Sequence, residues 1–222
     1  FLIHGSGSMI ARIRAAAESS GAEVRTAAPV RRIIVEGGRA RGVEVEGGES
    51  LDAGWVIANA GVRRTLGMLG EHAPSRVVEQ VATLRPACGF THAVRSRNRL
   101  HEHLSIEIPL DLRHIDGIMP VSNLSRFLCP PEWHFALAYQ WMDPAEDPEK
   151  QLEAGRRELL EHLGSGAEIM NTACYHSHNP TANIAQMIDQ HGKSRPPAIL
   201  PGIEGLFLVG HDVQGYGTAA EL

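Results

Sequence analysis

The chain has 222 residues, of which 43% are hydrophobic and 21% are charged, and its formal net charge is -5 at pH 7. This composition excludes a collagen-like chain, an intrinsically disordered chain and a small disulfide-stabilised scaffold. No apolar run reaches the length of about 18 residues that a membrane-spanning helix needs. The mild acidity argues against a nucleic acid partner, since such proteins usually present a basic face.

The first 70 residues show a helical pattern, then a period of two, then a short apolar run. Two Gly-Gly pairs separate the alternating segments, which is typical of a β-meander. The apolar run after the meander is typical of a strand that is buried on both faces. The predicted elements are a helix at 5–19, a strand at 22–26, a meander between 30 and 51, a buried strand at 55–58 and a helix at 62–69.

The middle of the chain is less regular, but its strands and helices can still be placed. Asp147-Pro148 is a typical start for a helix, because aspartate caps free N–H groups and proline fits the first turn. The predicted elements are a helix at 75–84, strands at 88–94 and 104–108, an aromatic strand at 133–141, a helix at 149–163, a strand at 169–176 and, after a linker-like stretch at 194–202, a buried strand at 205–210.

The aromatic strand allows two interpretations. Trp133, Phe135, Tyr139 and Trp141 have odd numbers, so all four fall on one face of a strand. We favour core packing for this face. The alternative is that these rings form a wall of an apolar substrate cavity.

The cysteines and histidines give little indication of a metal site. Cys88, Cys129 and Cys174 are odd in number and lack the C-x-x-C spacing, so we expect reduced thiols in a cytoplasmic protein. Cys174, His176 and His178 alternate and could all face one way, yet the two ends of such a triplet lie about 13 Å apart on a strand. We therefore predict no metal.

The last 18 residues carry the strongest local signal. A buried strand ends at Gly210-His211-Asp212, and a second glycine pair, Gly215 and Gly217, opens what reads as a helix. Glycines let the backbone approach a ligand closely, and a helix N-terminus offers N–H groups to an anion. This arrangement suits an anionic cofactor, although an ordinary strand–loop–helix connection would produce the same pattern.

Several segments in this order carry a resemblance to a known family. They are Gly5-Ser6-Gly7-Ser8-Met9, Pro29-Val30, Gly42-Val43, Asp52–Ile57 and Gly205–Asp212. With them, the chain resembles the C-terminal half of flavin-dependent oxidoreductases of the phytoene desaturase and amine oxidase superfamily, in particular the phytoene dehydrogenase-like members.

The resemblance implies a mixed α/β fold. One part is a portion of a Rossmann-like FAD-binding domain with a β-meander, and the other is a substrate domain built on a mixed sheet. The implied segments are 1–70 for the FAD domain, 71–195 for the substrate domain and 196–222 for a return to the FAD domain.

The resemblance also implies roles for single residues. The residue that matches Val30 meets the adenine, and the turn that matches Asn59 and Ala60 lies near the diphosphate. Gly210 and Asp212 match the region that contacts the ribityl or diphosphate groups. Gly217, Thr218 and Ala219 match the turn that packs against the flavin. The implied reaction is hydride transfer from an apolar or amine-bearing substrate to FAD.

The chain departs from the family pattern at its ends. The family's N-terminal βαβ unit, with its Gly-x-Gly-x-x-Gly turn, is missing, and we expect it upstream of Phe1. We therefore expect this piece alone to be colourless and inactive. The alternative is a non-catalytic binding or interaction domain with a flavoenzyme-derived fold. Peripheral membrane association is conceivable, but no basic amphipathic helix supports it, and the sequence does not give the oligomeric state.

Overall fold

The computed structural model describes residues 5–175, 184, 185 and 187–214. These residues form two compact units. Unit 1 contains residues 5–24 and 88–175, and unit 2 contains residues 25–87 and the described residues from 184 onward. The fold is mixed α/β, with three separate sheets among the described residues. This confirms the predicted fold class.

The elements are named here in chain order. The helices are α1 (Ser6–Ser19), α2 (Val62–Leu69), α3 (Ser75–Thr83), α4 (Val121–Leu124) and α5 (Pro148–Leu163). The strands are β1 (Val30–Glu36), β2 (Arg39–Val45), β3 (Ser50–Asp52), β4 (Val56–Ala58), β5 (Gly89–Ser96), β6 (Gly117–Met119), β7 (His134–Trp141), β8 (Ala167–Tyr175) and β9 (Leu206–Leu208).

Unit 1 is built on an antiparallel sheet in the order β6-β7-β5-β8. Helix α5 covers one face of this sheet, where Leu159 packs against Val94 and Ala138 in the core. The helix begins where predicted, because the Asp147 carboxylate accepts hydrogen bonds from the N–H groups of Glu149 and Lys150.

A buried polar network crosses the centre of unit 1. His92 is fully buried on β5, with Nε2 2.9 Å from Gln140 Oε1 and Nδ1 3.0 Å from Thr172 Oγ1. The Gln140 amide nitrogen donates to the Gln151 carbonyl on α5 at 2.6 Å. The network therefore joins three strands and a helix, and both ring nitrogens of His92 have partners.

Unit 2 contains the predicted meander, in which β1, β2 and β3 pair antiparallel in sequence order. The β1–β2 turn places Gly37 at φ 57° and Gly38 at φ 76°. Two left-handed residues in succession suit the right-handed twist of a hairpin, and glycine adopts them without strain. The prediction from the Gly-Gly pair is therefore confirmed.

Two predicted strands are wrong. Residues 22–26 form no strand, since no described strand pairs with them. The predicted strand at 104–108 is reduced to one isolated bridge between Glu107 and Ile118. Its alternate apolar side chains are exposed, so no core holds the segment in a ladder. They are Leu104, Ile106 and Ile108, followed by Leu110.

The compact units divide the chain at positions other than 70 and 195. Helix α3, which lies after residue 70, belongs to unit 2, because Val77 and Val81 are buried in the core of that unit. Helix α1 groups with unit 1 rather than with the meander. None of its residues is buried, so its apolar positions Met9, Ile10 and Ile13 form no core.

Candidate functional site

The candidate site lies in unit 2, where two parallel strands end side by side. Strands β4 and β9 pair in register from Val56–Leu206 to Ala58–Leu208. Just beyond them, the Val209 N–H donates to the Ala58 carbonyl at 3.0 Å. Ligands of open α/β sheets bind outside the carboxyl ends of the strands, and the two loops that follow β4 and β9 form that edge here.

Asp212 connects these two loops. Its Oδ2 accepts a hydrogen bond from the N–H of Val62, the first residue of α2, at 3.0 Å. Its Oδ1 accepts one from the Ile184 N–H at 2.9 Å. The side chain is buried, with 6% of its surface exposed. Asp212 therefore holds the start of α2 against the end of β9, and both of its oxygens already have protein donors.

Two glycines make this close approach possible. A Cβ on Gly210 would lie 2.7 Å from Asn59 Oδ1, and a Cβ on Gly61 would lie 3.2 Å from Asp212 Oδ2. Both also have positive φ, 116° for Gly210 and 79° for Gly61. Any side chain here would be strained by the positive φ, and the Asn59 or Asp212 side chain opposite it would have to shift.

The structure brings together four of the residues that we predicted to contact the cofactor. Asn59 and Ala60 follow β4, and Gly210 and Asp212 follow β9. Val30 lies apart from this pair of loops, at the start of β1, where it is half-buried and faces Val45.

The remaining three predicted residues, Gly217, Thr218 and Ala219, lie outside the described residues. His176 and His178, which were considered above as metal ligands, also lie outside the described residues. Among the described residues, no group of three His, Cys, Asp or Glu side chains is arranged to hold a metal ion.

A groove of about 480 Å³ runs beside the predicted adenine position. Its lining starts at Arg31, the residue after Val30, follows β1 to Glu36 and returns along 67–72 at the end of α2. The groove and the two loops share α2, since the loop after β4 leads into the helix and the groove lies at its other end.

The sequence analysis did not identify Arg195, which stabilises the segment that carries Asp212. Its guanidinium is buried and donates to the carbonyls of Gln190, Ile184, Ala185 and His211. Burial lowers the pKa of Arg195, and the negative charge of Asp212 opposes that change.

The linker-like interpretation of 194–202 is therefore wrong. Arg195, Pro196 and Leu200 are all buried. The Ser-Arg-Pro-Pro sequence does not show this, because the four carbonyls that hold Arg195 come from positions the chain brings together only when folded. No local sequence signal distinguishes this arginine from a solvated one.

The aromatic strand of unit 1 also differs from the favoured prediction. On β7 the buried residues are Ala136, Ala138 and Gln140, whereas Trp141 is 53% exposed. The odd-numbered rings at 133, 135 and 139 are half-buried. Core packing is therefore wrong for this face, because the sheet approaches α5 through small side chains and turns its large rings the other way.

This outward face of the sheet, which we call the aromatic face, is defined by the paired odd-numbered residues of β5 and β7. Ladder partners share a face, and Thr91 pairs with Tyr139, Ala93 with Leu137 and Arg95 with Phe135. Burial raises the pKa of the Tyr139 hydroxyl, as does its neighbour Tyr175. The face therefore carries aromatic rings and neutral hydroxyls at its Tyr139 end and the apolar pair of Ala93 and Leu137 in its middle.

None of the described helices is both long enough and apolar enough to cross a membrane.

Comparison with known proteins identifies the fold. No protein-family model and no curated protein matches the chain. Among solved structures, the chain resembles an oxidoreductase from Methanosarcina mazei with a TM-score of 0.80 and 24% identity, over 92% of this chain and 48% of that one. It resembles a protein from Pyrococcus furiosus with a TM-score of 0.69 and 19% identity, over 91% and 45%.

A third similar structure is a reduced UDP-galactopyranose mutase, with a TM-score of 0.55 and 13% identity over 73% of this chain and 37% of that one. The chain thus spans about half the length of the first two matched proteins or less. At these identities the likeness concerns the fold, which this chain shares with an oxidoreductase.

Proposed function

We propose that the chain is part of an FAD-dependent oxidoreductase that moves a hydride from an apolar or amine-bearing substrate to the flavin. The observation that carries this proposal is the meeting of Asn59-Ala60-Gly61 with Gly210-His211-Asp212 at the carboxyl ends of two parallel strands. The fold shared with an oxidoreductase supports it, as does the family resemblance of the sequence.

The helix that begins at the loops supports a dinucleotide diphosphate as their ligand. Helix α2 begins at this edge, and its first turn leaves the N–H groups of Arg63 and Arg64 without acceptors inside the helix. Such N–H groups and the helix dipole attract an anion. Gly61 and Gly210 allow the two loops to lie close together, since a Cβ on either would meet a side-chain oxygen of the opposite loop.

Asp212 has a positioning role in this proposal. Its two oxygens accept the N–H groups of Val62 and Ile184, so it fixes α2 relative to β9. A loss of flavin after Asp212→Ala would therefore report on the fold of the loops as much as on a cofactor contact. Another residue is needed for the test.

When bound, the flavin would supply the hydride acceptor, and the chain's own residues would bind and orient. Asn59 and Ala60 would face the diphosphate, and Val30, beside the groove along β1, would face the adenine. In unit 1, the aromatic face would form the apolar wall of the substrate site. The alternative interpretation of the odd-numbered rings thus becomes part of the proposal.

Asn59→Asp provides the test, because it adds one charge without changing shape at an exposed position. In the longer protein that contains this chain, it should weaken FAD binding about fivefold, since a carboxylate near the diphosphate costs about 1 kcal/mol at a surface. Isothermal titration calorimetry of the apoprotein measures this. Asn98→Asp, also exposed but in unit 1, should leave the affinity unchanged.

Two results would contradict the proposal. A longer protein that binds no flavin would favour the non-catalytic binding domain. Equal FAD affinities for Asn59→Asp, Asn98→Asp and the unchanged protein would remove the loop after β4 from the cofactor site.

A further inference from the structure

The aromatic face is uneven in charge from one end to the other. From Trp133 to Trp141 it extends about 26 Å at the rise of a β-strand. Its middle and far end carry Leu137 and Tyr139 on β7 and Met119 on β6, which pairs with Leu137. Arginines are confined to the end at Trp133.

Two arginines contact the Trp133 ring. The Arg97 guanidinium carbon lies 3.8 Å from the ring centroid and that of Arg95 lies 4.6 Å away. Stacking on tryptophan holds a guanidinium in place and leaves its N–H edge available. Arg95 is paired with Glu168, whereas none of the carboxylates in the described part of the chain pairs with Arg97.

The surroundings add to the positive potential at this end. Arg126 donates to the Pro131 carbonyl and lies near the Trp133 carbonyl. Burial lowers the pKa of His134, and the charges of Arg126 and Arg99 lower it further. Because Glu168 pairs with Arg95, the cation of Arg97 on the face is not neutralised by a carboxylate of the described residues, and the cation of Arg126 lies beside it.

The opposite end does not offer a matching anion. Asp116 lies next to it, but its carboxylate accepts the backbone N–H of Trp141. Burial raises the pKa of Asp116, which makes it a poorer partner for a cation. The rings at this end could attract a cation weakly, but no described carboxylate on the face completes such a site.

We infer that the aromatic face binds an elongated apolar molecule with a single anionic head group, which pairs with Arg97 while the body lies along Leu137, Tyr139 and Trp141. This deepens the proposed function, since it assigns the substrate side of the enzyme to apolar anions rather than to amines. A carboxylate or phosphate would meet the guanidinium edge in the geometry that arginine favours.

Three ligands with the same chain and different head groups test the inference: decanoate, decylamine and decanol, each titrated calorimetrically below its micelle concentration. The full chain should bind decanoate about tenfold more tightly than decanol, the scale of one charge-assisted hydrogen bond, and decylamine least. Arg97→Gln should abolish the preference for decanoate, and Arg97→Lys should retain part of it.

Arg157→Gln is the matched control, since Arg157 is an exposed arginine on α5, which covers the other face of the sheet. It should bind as the unchanged chain does. Trp141→Ala should weaken all three ligands to a similar degree, because it shortens the apolar wall, and circular dichroism shows that each variant is folded.

Equal binding of the three ligands, or tightest binding of decylamine, would overturn the inference. So would a preference for decanoate that survives Arg97→Gln. None of these measurements involves flavin, so their failure is separate from a failure of FAD binding in the longer protein.

Discussion

At the scale of single residues, His92 is the side chain whose chemistry the structure defines most fully. Gln140 Oε1 can only accept, so Nε2 of His92 carries the proton, and Nδ1 accepts from the Thr172 hydroxyl. Burial lowers the pKa of His92, Arg156 lowers it further, and the hydrogen bond to Gln140 opposes both. In the folded state, the His92 ring is therefore held in its neutral form.

This assignment predicts how the stability of unit 1 depends on pH. The unfolded chain takes up a proton on His92 below about pH 6.5, but the folded chain does so only at lower pH. The contribution of neutral His92 to the free energy of unfolding is therefore fully present above about pH 6.5 and is lost as the pH decreases toward the pKa of the folded state. For one proton, the loss is at most about 1.4 kcal/mol per pH unit. Urea unfolding between pH 8 and about pH 5 measures it.

The control for this prediction is His92→Gln, which cannot titrate. His101 and His134 also have pKa values lowered by burial, so the variant should keep part of the pH dependence. The informative quantity is the difference between the two slopes. Identical slopes in the variant and the unchanged chain would show that His92 does not exclude its proton on folding.

At the scale of elements, the contact between β7 and α5 explains why the strand was predicted correctly but its buried face was not. The alternation of β7 was correctly read from the sequence, but alternation does not tell which of two apolar faces is inside. The answer depends on α5, which packs where the strand offers Ala136 and Ala138. Large rings suggested a core, yet the close approach of a helix required small side chains.

The contact between β7 and α5 also requires a residue without a Cβ at position 155 of α5, where the chain has glycine. A Cβ on Gly155 would lie 2.0 Å from Gln140 Oε1, the atom that accepts from His92. Glycine inside a helix normally costs about 0.5–1 kcal/mol relative to alanine. Here Gly155→Ala should instead destabilise unit 1 by about 1–3 kcal/mol, because the displaced amide leaves buried polar groups without partners.

Gly67→Ala in α2 is the matched control, since nothing lies within 4 Å of the position its Cβ would take. It should stabilise the chain by the ordinary helix propensity. Chemical denaturation of both variants compares the signs directly. Stabilisation by Gly155→Ala would mean that Gln140 can move away without cost.

At the scale of the whole molecule, local patterns predict single elements, whereas the two compact units depend on contacts between distant segments. The meander and the positions of β4 and β9 were predicted from local patterns, whereas the roles of Asn59, Ala60, Gly210 and Asp212 came from the family resemblance. The expected burial of β4 on both faces is wrong, since Ile57 is 69% exposed.

The hydrogen bonds of Asp212 to Val62 and Ile184 were not predicted, because they join segments that are far apart in the chain. The burial of Arg195 was not predicted either, because no local pattern marks the carbonyls that accept from it. Tertiary contacts likewise determine that α1 belongs to unit 1 and α3 to unit 2.

The two units differ in how their cores are assembled, and this leads to a last prediction. The core of unit 1 lies entirely within residues 88–175, since α1 buries none of its residues. The core of unit 2 combines residues 25–87 with a later segment that supplies Leu200, Leu206 and Leu208. A single continuous segment can therefore form the first core but not the second.

Residues 88–175 expressed alone should accordingly fold, with a cooperative urea transition and the pH dependence expected for His92. Residues 25–87 expressed alone should stay unfolded, because they lack the β9 side chains against which Ile33 and Leu66 pack. Circular dichroism and urea titration of the two segments decide the matter. A disordered 88–175 would show that unit 1 needs support from outside its own core, and a folded 25–87 would show that the meander and α2 are sufficient without β9.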